Sequence, residues 1–98
     1  MKINAKTGHD IQELKRLRKK VDEIDDEIIS MLGKRQLMVK SIGKIKKCNG
    51  VNILSAARER QILKRILLKG KKNKIDLEFI DRVYWVIFKN SRKVQRLV

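Results

Sequence analysis

The sequence predicts an all-α fold with three helices per chain, the first of them unusually long. Three observations lead to this prediction. The 98 residues contain no proline and only five glycines, so residues that break helices are scarce. Apolar residues recur at steps of three and four, which is the period of an amphipathic helix. Strong breakers cluster at two places, around Asn49-Gly50 and around Gly70, and they divide the chain into three helical segments.

The first helix is predicted from Asp10 to about Lys47, just before the Asn49-Gly50 turn. Gly33 and Gly43 lie inside it and cost about 1 kcal/mol each. Its apolar stripe consists of Leu14, Leu17, Val21, Ile24, Ile28, Met31, Leu32, Val39 and Ile42. Such a helix would be roughly 55 Å long, whereas a compact chain of this size has a radius of gyration of about 13 Å. The stripe cannot be buried within its own chain, so we expect an intertwined helical homodimer.

Two shorter helices are predicted after the turn. Ser55 can act as N-cap of the second, which is expected to run to about Lys69 and to be ended by Gly70 and the polar stretch Lys71-Lys72-Asn73-Lys74. Asp76 can act as N-cap of the third, which runs nearly to the C-terminus. The stripes are Ile62, Leu63, Ile66 and Leu67 on the second helix, and Ile80, Val83, Tyr84, Ile87 and Phe88 on the third. Residues 1–9 are expected to form a flexible tail and residues 10–98 a single domain.

Composition excludes several kinds of site. One Cys and one His exclude, within one chain, a disulfide framework and a Cys/His zinc site. We therefore expect no metal site. The first ten residues lack the apolar stretch of a secretion signal, and no segment approaches the roughly 20 apolar residues of a membrane span. The unpaired Cys48 fits a reducing compartment, so a cytoplasmic protein without a membrane partner is expected.

Every helix carries polar residues where its period calls for apolar ones. They are Arg18, Arg35 and Lys46 on the first helix, Arg58 and Glu59 on the second, and Ser91 and Gln95 on the third. Burying an unpaired charge is costly, so these groups need partners or a wet cavity. Any one of these positions, taken singly, is explained by an internal ion pair in which Glu59 neutralises one cation, or by a long Lys or Arg side chain that reaches out to solvent.

Taken together, the polar residues are not explained in that way. The set contains four cations and only one carboxylate, that of Glu59, so three positive charges are left without compensation. Such a cluster suits a small anion with more than one carboxylate or phosphate. The pattern contains no nucleophile with an adjacent base, no metal-ligand spacing and no glycine-rich phosphate loop. It therefore predicts a binding cage rather than a site for acid–base or covalent chemistry.

These residues, in this order and spacing, resemble the AroQ class of chorismate mutases, which is all-helical. The resemblance covers about Glu13 to Gln95. Its pieces are Leu17-Arg18-Lys19-Lys20-Val21-Asp22-Glu23-Ile24-Asp25, Lys34-Arg35, Gly43-Lys44-Ile45-Lys46, Arg58-Glu59-Arg60 and Ser91-Arg92-Lys93-Val94-Gln95. Each piece alone is commonplace, whereas the full set is specific. The resemblance implies an isomerase of aromatic amino acid (Phe/Tyr) biosynthesis, which converts chorismate to prephenate by an intramolecular Claisen rearrangement without cofactor or covalent intermediate.

The resemblance also implies which residues are catalytic. Arg18 from the other subunit and Arg35 would hold the two carboxylates of chorismate, assisted by Ser91. Lys46 and Gln95 would donate hydrogen bonds to the ether oxygen, where negative charge develops as the C–O bond breaks. The substrate would therefore be bound by residues of both chains of the homodimer.

The resemblance assigns the remaining cage residues to substrate binding. Arg58 would line the site, and Glu59 would accept a hydrogen bond from the ring hydroxyl. Ser55 stands where the family often has Asp, three residues before the Arg-Glu pair. A serine hydroxyl can still bind a substrate hydroxyl, so Ser55 is included among the binding residues.

Three other functions fit part of the sequence. An isochorismate–pyruvate lyase of the same fold would differ in the loop 47–54; the mutase is favoured because both ether-oxygen donors, Lys46 and Gln95, are present. A basic nucleic-acid-binding dimer is suggested by a net charge of +15, but the surplus is spread over all helices and the four aromatic residues are too few for base stacking. A non-catalytic dimer that binds an acid of the aromatic pathway is disfavoured by the complete cage.

Overall fold

A computed structural model describes residues 8–98 of the chain. This part consists of three α-helices and contains no strand: α1 spans Gly8–Cys48, α2 spans Ala56–Lys72 and α3 spans Leu77–Arg96. The prediction of an all-α chain with a long first helix is confirmed, since α1 has 41 residues. It begins two residues before the predicted Asp10 and so includes the end of the predicted tail, whose residues 1–7 lie outside the described residues. None of the described helices is long and apolar enough to cross a membrane.

Both predicted N-caps are confirmed. The hydroxyl of Ser55 accepts a hydrogen bond from the backbone N–H of Arg58 at 3.3 Å, at the start of α2. The carboxylate of Asp76 accepts one from the backbone N–H of Glu78 at 3.3 Å, at the start of α3. Each cap satisfies one of the backbone donors that a helix N-terminus leaves unpaired. Short polar side chains therefore fix where these two helices begin.

Helix α2 ends within the polar stretch that was expected to end it, three residues beyond the expected Lys69. The helix continues through Gly70 to Lys72, and Asn73 caps it by donating its backbone N–H to the carbonyl of Gly70 at 3.1 Å. Lys74 then turns the chain with a positive φ of 57°. Gly70 is buried, and a side chain at that position would collide with the end of the Ile80 side chain on α3. This glycine therefore permits a close approach of two helices and does not end one.

The chain divides into two compact units, with the boundary between residues 35 and 36. The described part of the first unit, residues 8–35, is helical throughout and belongs to α1. Its apolar stripe is exposed, with relative accessibilities from 38% to 61% at Leu14, Leu17, Val21, Ile24, Ile28, Met31 and Leu32. A large apolar side chain left half exposed forgoes about 1 kcal/mol of burial free energy. The first unit thus presents a stripe of apolar surface to solvent.

The second unit, residues 36–98, contains the buried core of the described chain. Val39 of α1 and Ile80, Phe88 and Val94 of α3 are its buried apolar residues, and Phe88 is only 2% exposed. Tyr84 and Trp85 stack edge-to-face on Phe88, with ring centroids 5.8 and 5.6 Å away. Helices α2 and α3 pack against each other. This core holds the ends of the three helices that carry most of the predicted site.

Candidate active site

The C-terminal ends of α1 and α3 touch at Gly43. A Cβ atom built on Gly43 would lie 2.9 Å from the Cα atom of Gln95 and 2.8 Å from the Cγ2 atom of Val98. The ammonium of Lys47 also donates a hydrogen bond to the carbonyl of Val98 at 3.4 Å. Lys46 lies one helical turn after Gly43, so it belongs to the same end of the second unit as Gln95. Two of the predicted catalytic residues are therefore carried by helices in near backbone contact.

The ammonium of Lys46 is held by the loop between α1 and α2. Its Nζ atom donates a hydrogen bond to the backbone carbonyl of Ile53 at 2.8 Å, and the residue is partly buried. An ammonium carries three N–H groups, so two donors remain after this bond. The bond to Ile53 fixes the charge at the loop that precedes Ser55, the N-cap of α2, without neutralising it.

The amide of Gln95 is oriented by its own helix and is incompletely satisfied. Nε2 donates to the carbonyl of Ser91 at 3.2 Å, while the hydroxyl of Ser91 donates to the carbonyl of Ile87 at 2.8 Å. The buried Oε1 atom of Gln95 has no hydrogen-bond partner within residues 8–98. A buried polar atom left unpaired costs about 1–3 kcal/mol. The unpaired atom is an acceptor, and Nε2 has a second N–H group beyond the one that it donates to Ser91.

Glu59 forms an ion pair that joins α2 to α3. Nη1 of Arg92 lies 2.7 Å from both carboxylate oxygens of Glu59, and the two side chains are 22% and 14% exposed, respectively. The sequence offered Glu59 as counter-ion for a cation of the cage, but its partner is a residue outside the predicted set. Lys46 and Arg58 instead donate to neutral oxygens, those of Ile53 and Gln61. Glu59 therefore does not neutralise the charges of Lys46 and Arg58.

The remaining predicted residues are less enclosed. Arg58 is exposed and donates from Nη1 to Oε1 of Gln61 at 2.7 Å. Arg18 is exposed and Arg35 partly buried, and both lie in the first unit. The structure thus brings together Lys46, Ser55, Glu59, Ser91 and Gln95 at one end of the second unit. Within residues 8–98, no group of three or more His, Cys, Asp or Glu side chains is placed to hold a metal ion.

The family model of chorismate mutase type II matches residues 17–96, which include every residue of the predicted cage. The chain belongs to this family. The resemblance inferred from the cage residues is thereby confirmed, and the all-helical architecture agrees with it.

Individual chorismate mutases show the same similarity. The chain is 28% identical to the chorismate mutase of Methanocaldococcus jannaschii over 86 residues, which cover 88% of this chain and 87% of that protein. It is 43% identical over 61 residues, 62% of this chain, to the bifunctional chorismate mutase/prephenate dehydratase of Aquifex aeolicus, and 28% identical over 80 residues, 82% of this chain, to that of Escherichia coli K12. The matched segments cover only 17% and 21% of the two bifunctional proteins.

Sequence reasoning missed the roles of two residues in this member of the chorismate mutase family. The pattern predicts no contact for Gly43, although it lies between Val39 and Lys46 on the apolar face of the helix, where a glycine indicates a close neighbour. Arg92 belongs to one of the motifs, but the sequence gives it no role, because its partner Glu59 lies 33 residues away. Only the first of these two roles left a signal in the helical pattern.

Replacing Gly43 by alanine is expected to lower the free energy of unfolding by about 1–3 kcal/mol, since the added methyl group meets the backbone of Gln95. Gly33→Ala is the matched control on the same helix, because nothing lies within 4 Å of a Cβ there. Helix propensity alone would stabilise both variants by about 1 kcal/mol. Urea unfolding followed by circular dichroism separates the two effects. Equal stabilisation of both variants would contradict the close contact of α1 and α3.

Proposed function

We propose that the protein is a chorismate mutase, an isomerase that rearranges chorismate to prephenate for phenylalanine and tyrosine biosynthesis. Membership of the chorismate mutase type II family supports the reaction. The observation that carries the mechanism is that Lys46 and Gln95 lie on two helix ends in contact, and that each keeps at least one N–H group beyond the bond it donates, from Lys46 to Ile53 and from Gln95 to Ser91. A unimolecular rearrangement needs such oriented donors and no nucleophile.

Substrate binding is proposed to begin with the two carboxylates of chorismate. Arg35 and the partner's Arg18 would form charge-assisted hydrogen bonds with them, and the planar guanidinium group suits the two oxygens of a carboxylate. Ser91 would add a neutral contact from α3. Holding both carboxylates folds the enolpyruvyl side chain over the ring, so that the two carbons that bond are brought close together.

The acceleration of the reaction is proposed to come from stabilising the negative charge that develops on the ether oxygen. As its bond to the ring carbon breaks, electron density moves onto this oxygen, and the Lys46 ammonium and the Gln95 amide N–H would stabilise the charge. Both donors are fixed before the reaction, by Ile53 and by Ser91, so they need little reorganisation in the transition state. Donors that bind the transition state more strongly than the substrate raise kcat.

The ring hydroxyl of chorismate is proposed to bind at the N-terminal end of α2. The carboxylate of Glu59 would accept a hydrogen bond from it, and the hydroxyl of Ser55 would assist. Arg58 would line the entrance, which agrees with its exposure. A carboxylate at this end also repels the carboxylates of the substrate, so it would favour one orientation of chorismate in the site.

The active form is proposed to be an intertwined homodimer in the cytoplasm. The support for the dimer is the apolar stripe of residues 8–35, which is 38–61% exposed and would be covered by a second copy of α1. A twofold dimer would cover the same stripe in both subunits. Cys48 is exposed and unpaired in the described chain, which fits a reducing compartment.

Purified protein is expected to deplete chorismate with saturation kinetics and to produce prephenate in equal amount. The absorbance of chorismate measures the first, and conversion of prephenate to phenylpyruvate in acid measures the second. Addition of EDTA is expected to leave the rate unchanged, since none of the proposed steps uses a metal. Release of pyruvate from isochorismate, without turnover of chorismate by the folded protein, would contradict the mutase and support the lyase.

A further inference from the structure

The ion pair between Arg92 and Glu59 is the feature of the site that the proposed reaction does not explain. It links residue 59 in the first turn of α2 to residue 92 near the end of α3, and both side chains are less than a quarter exposed. Two other ion pairs of the described residues, Arg16–Glu13 and Arg82–Glu78, lie within single helices and are more exposed. Of these three pairs, Arg92–Glu59 is the one that joins two helices, and it lies next to Ser91 and one turn from Gln95.

An unpaired Glu59 would interfere with the site that contains it. The ammonium of Lys46 is bonded to Ile53 in the loop that leads into α2, and Arg58 is the neighbour of Glu59 in the sequence. Two cations therefore lie at the same helix end as this carboxylate. Without Arg92, the carboxylate would be drawn to those cations, because a partly buried negative charge requires a counter-ion. It would then neutralise the charges that the substrate dianion needs.

We propose that Arg92 is a positioning residue that holds Glu59 for the substrate hydroxyl and keeps it from pairing with the cations of the cage. This proposal rests on the proposed function. Nη1 of Arg92 contacts both carboxylate oxygens at 2.7 Å, which fixes the rotation of the group. Each oxygen retains a further lone pair for the ring hydroxyl. Arg92 itself does not touch the substrate.

The test is a double-mutant cycle measured by steady-state turnover of chorismate. Arg92→Gln is expected to lower kcat/KM by about 10- to 100-fold, the range that a misplaced binding group produces. In the background of Glu59→Gln, which has no charge to be held, the same substitution is expected to change kcat/KM by less than about twofold. Arg92→Lys, which keeps the cation, is expected to recover most of the loss.

Arg82→Gln is the matched control, because Arg82 lies on the same helix in an exposed pair with Glu78 and its loss changes the net charge equally. It is expected to leave kcat/KM within about twofold of the wild-type value. Circular dichroism and the Tm report whether each variant is folded. A purely structural role would lower kcat/KM equally in both backgrounds.

The outcomes separate this proposal from the function on which it rests. Turnover by the wild-type protein with equal losses in the two backgrounds, or with no loss in folded Arg92→Gln, would overturn the positioning role and leave the mutase intact. Absence of turnover by the folded wild-type protein would overturn the mutase and the positioning role together. A loss of kcat/KM on Arg92→Gln that occurs with Glu59 present and is absent in Glu59→Gln supports both the mutase and the positioning role.

Discussion

Replacing Lys46 by methionine is expected to lower kcat/KM for chorismate by about 1,000-fold while the helical content stays unchanged. Removal of one oriented donor from a site that stabilises a developing oxyanion costs about 100- to 1,000-fold in kcat, and here the charge of the donor is lost as well. Methionine keeps most of the length and apolar surface of the lysine side chain. The loss is therefore expected in kcat more than in protein stability.

Lys44→Met is the matched control for this variant. Lys44 lies on the same helix, has the same charge and is exposed. Steady-state kinetics of both variants at equal ionic strength separate the specific loss from the general effect of one cation fewer. A folded Lys46→Met protein with a rate within tenfold of the wild-type rate would show that Lys46 does not serve the ether oxygen.

The helix boundaries show which features a sequence determines locally. Ser55 and Asp76 cap helices through bonds to residues three and two positions away, so their role is contained in a short stretch of sequence. Gly70 follows the opposite pattern. The local rule that glycine ends helices placed Gly70 among the residues that end α2, but the helix continues to Lys72, and the buried Gly70 instead leaves room for the side chain of Ile80 on α3.

The candidate site shows the same division. The helical period placed Lys46, Glu59, Ser91 and Gln95 on apolar faces, which was sufficient to predict a polar cage. The pairing of Glu59 with Arg92 could not be predicted in this way, because it depends on how α2 packs on α3. Whether Lys46 or Arg92 would be the nearer cation to Glu59 is decided by tertiary packing alone.

The stripe of α1 illustrates what periodicity leaves undetermined. Val39 and Ile24 belong to one stripe, yet Val39 is 9% exposed and Ile24 is 54% exposed. The pattern identifies the face of the helix that is stabilised by apolar contact, but it does not identify which element makes that contact. A second copy of α1 has the same pattern and can cover residues 8–35 with the same kind of surface.

A dimer in which the site is shared between chains predicts that two inactive variants restore each other. In a mixed dimer of Arg18→Met and Lys46→Met chains, one site receives Lys46 from the first chain and Arg18 from the second, and is intact. The other site carries both substitutions. With random pairing of equal amounts, half of the dimers are mixed, so about a quarter of the wild-type sites should be recovered.

Co-expression of the two chains with different tags, followed by an assay of chorismate turnover, measures this recovery. Arg35→Met combined with Lys46→Met is the control, since both residues are proposed to come from one chain and every mixed site then carries a defect. If Arg18 acted within its own chain, the first pair would be as inactive as the control. Recovery by the first pair alone would establish both the homodimer and the exchange of Arg18, because no monomer and no unshared site can produce it.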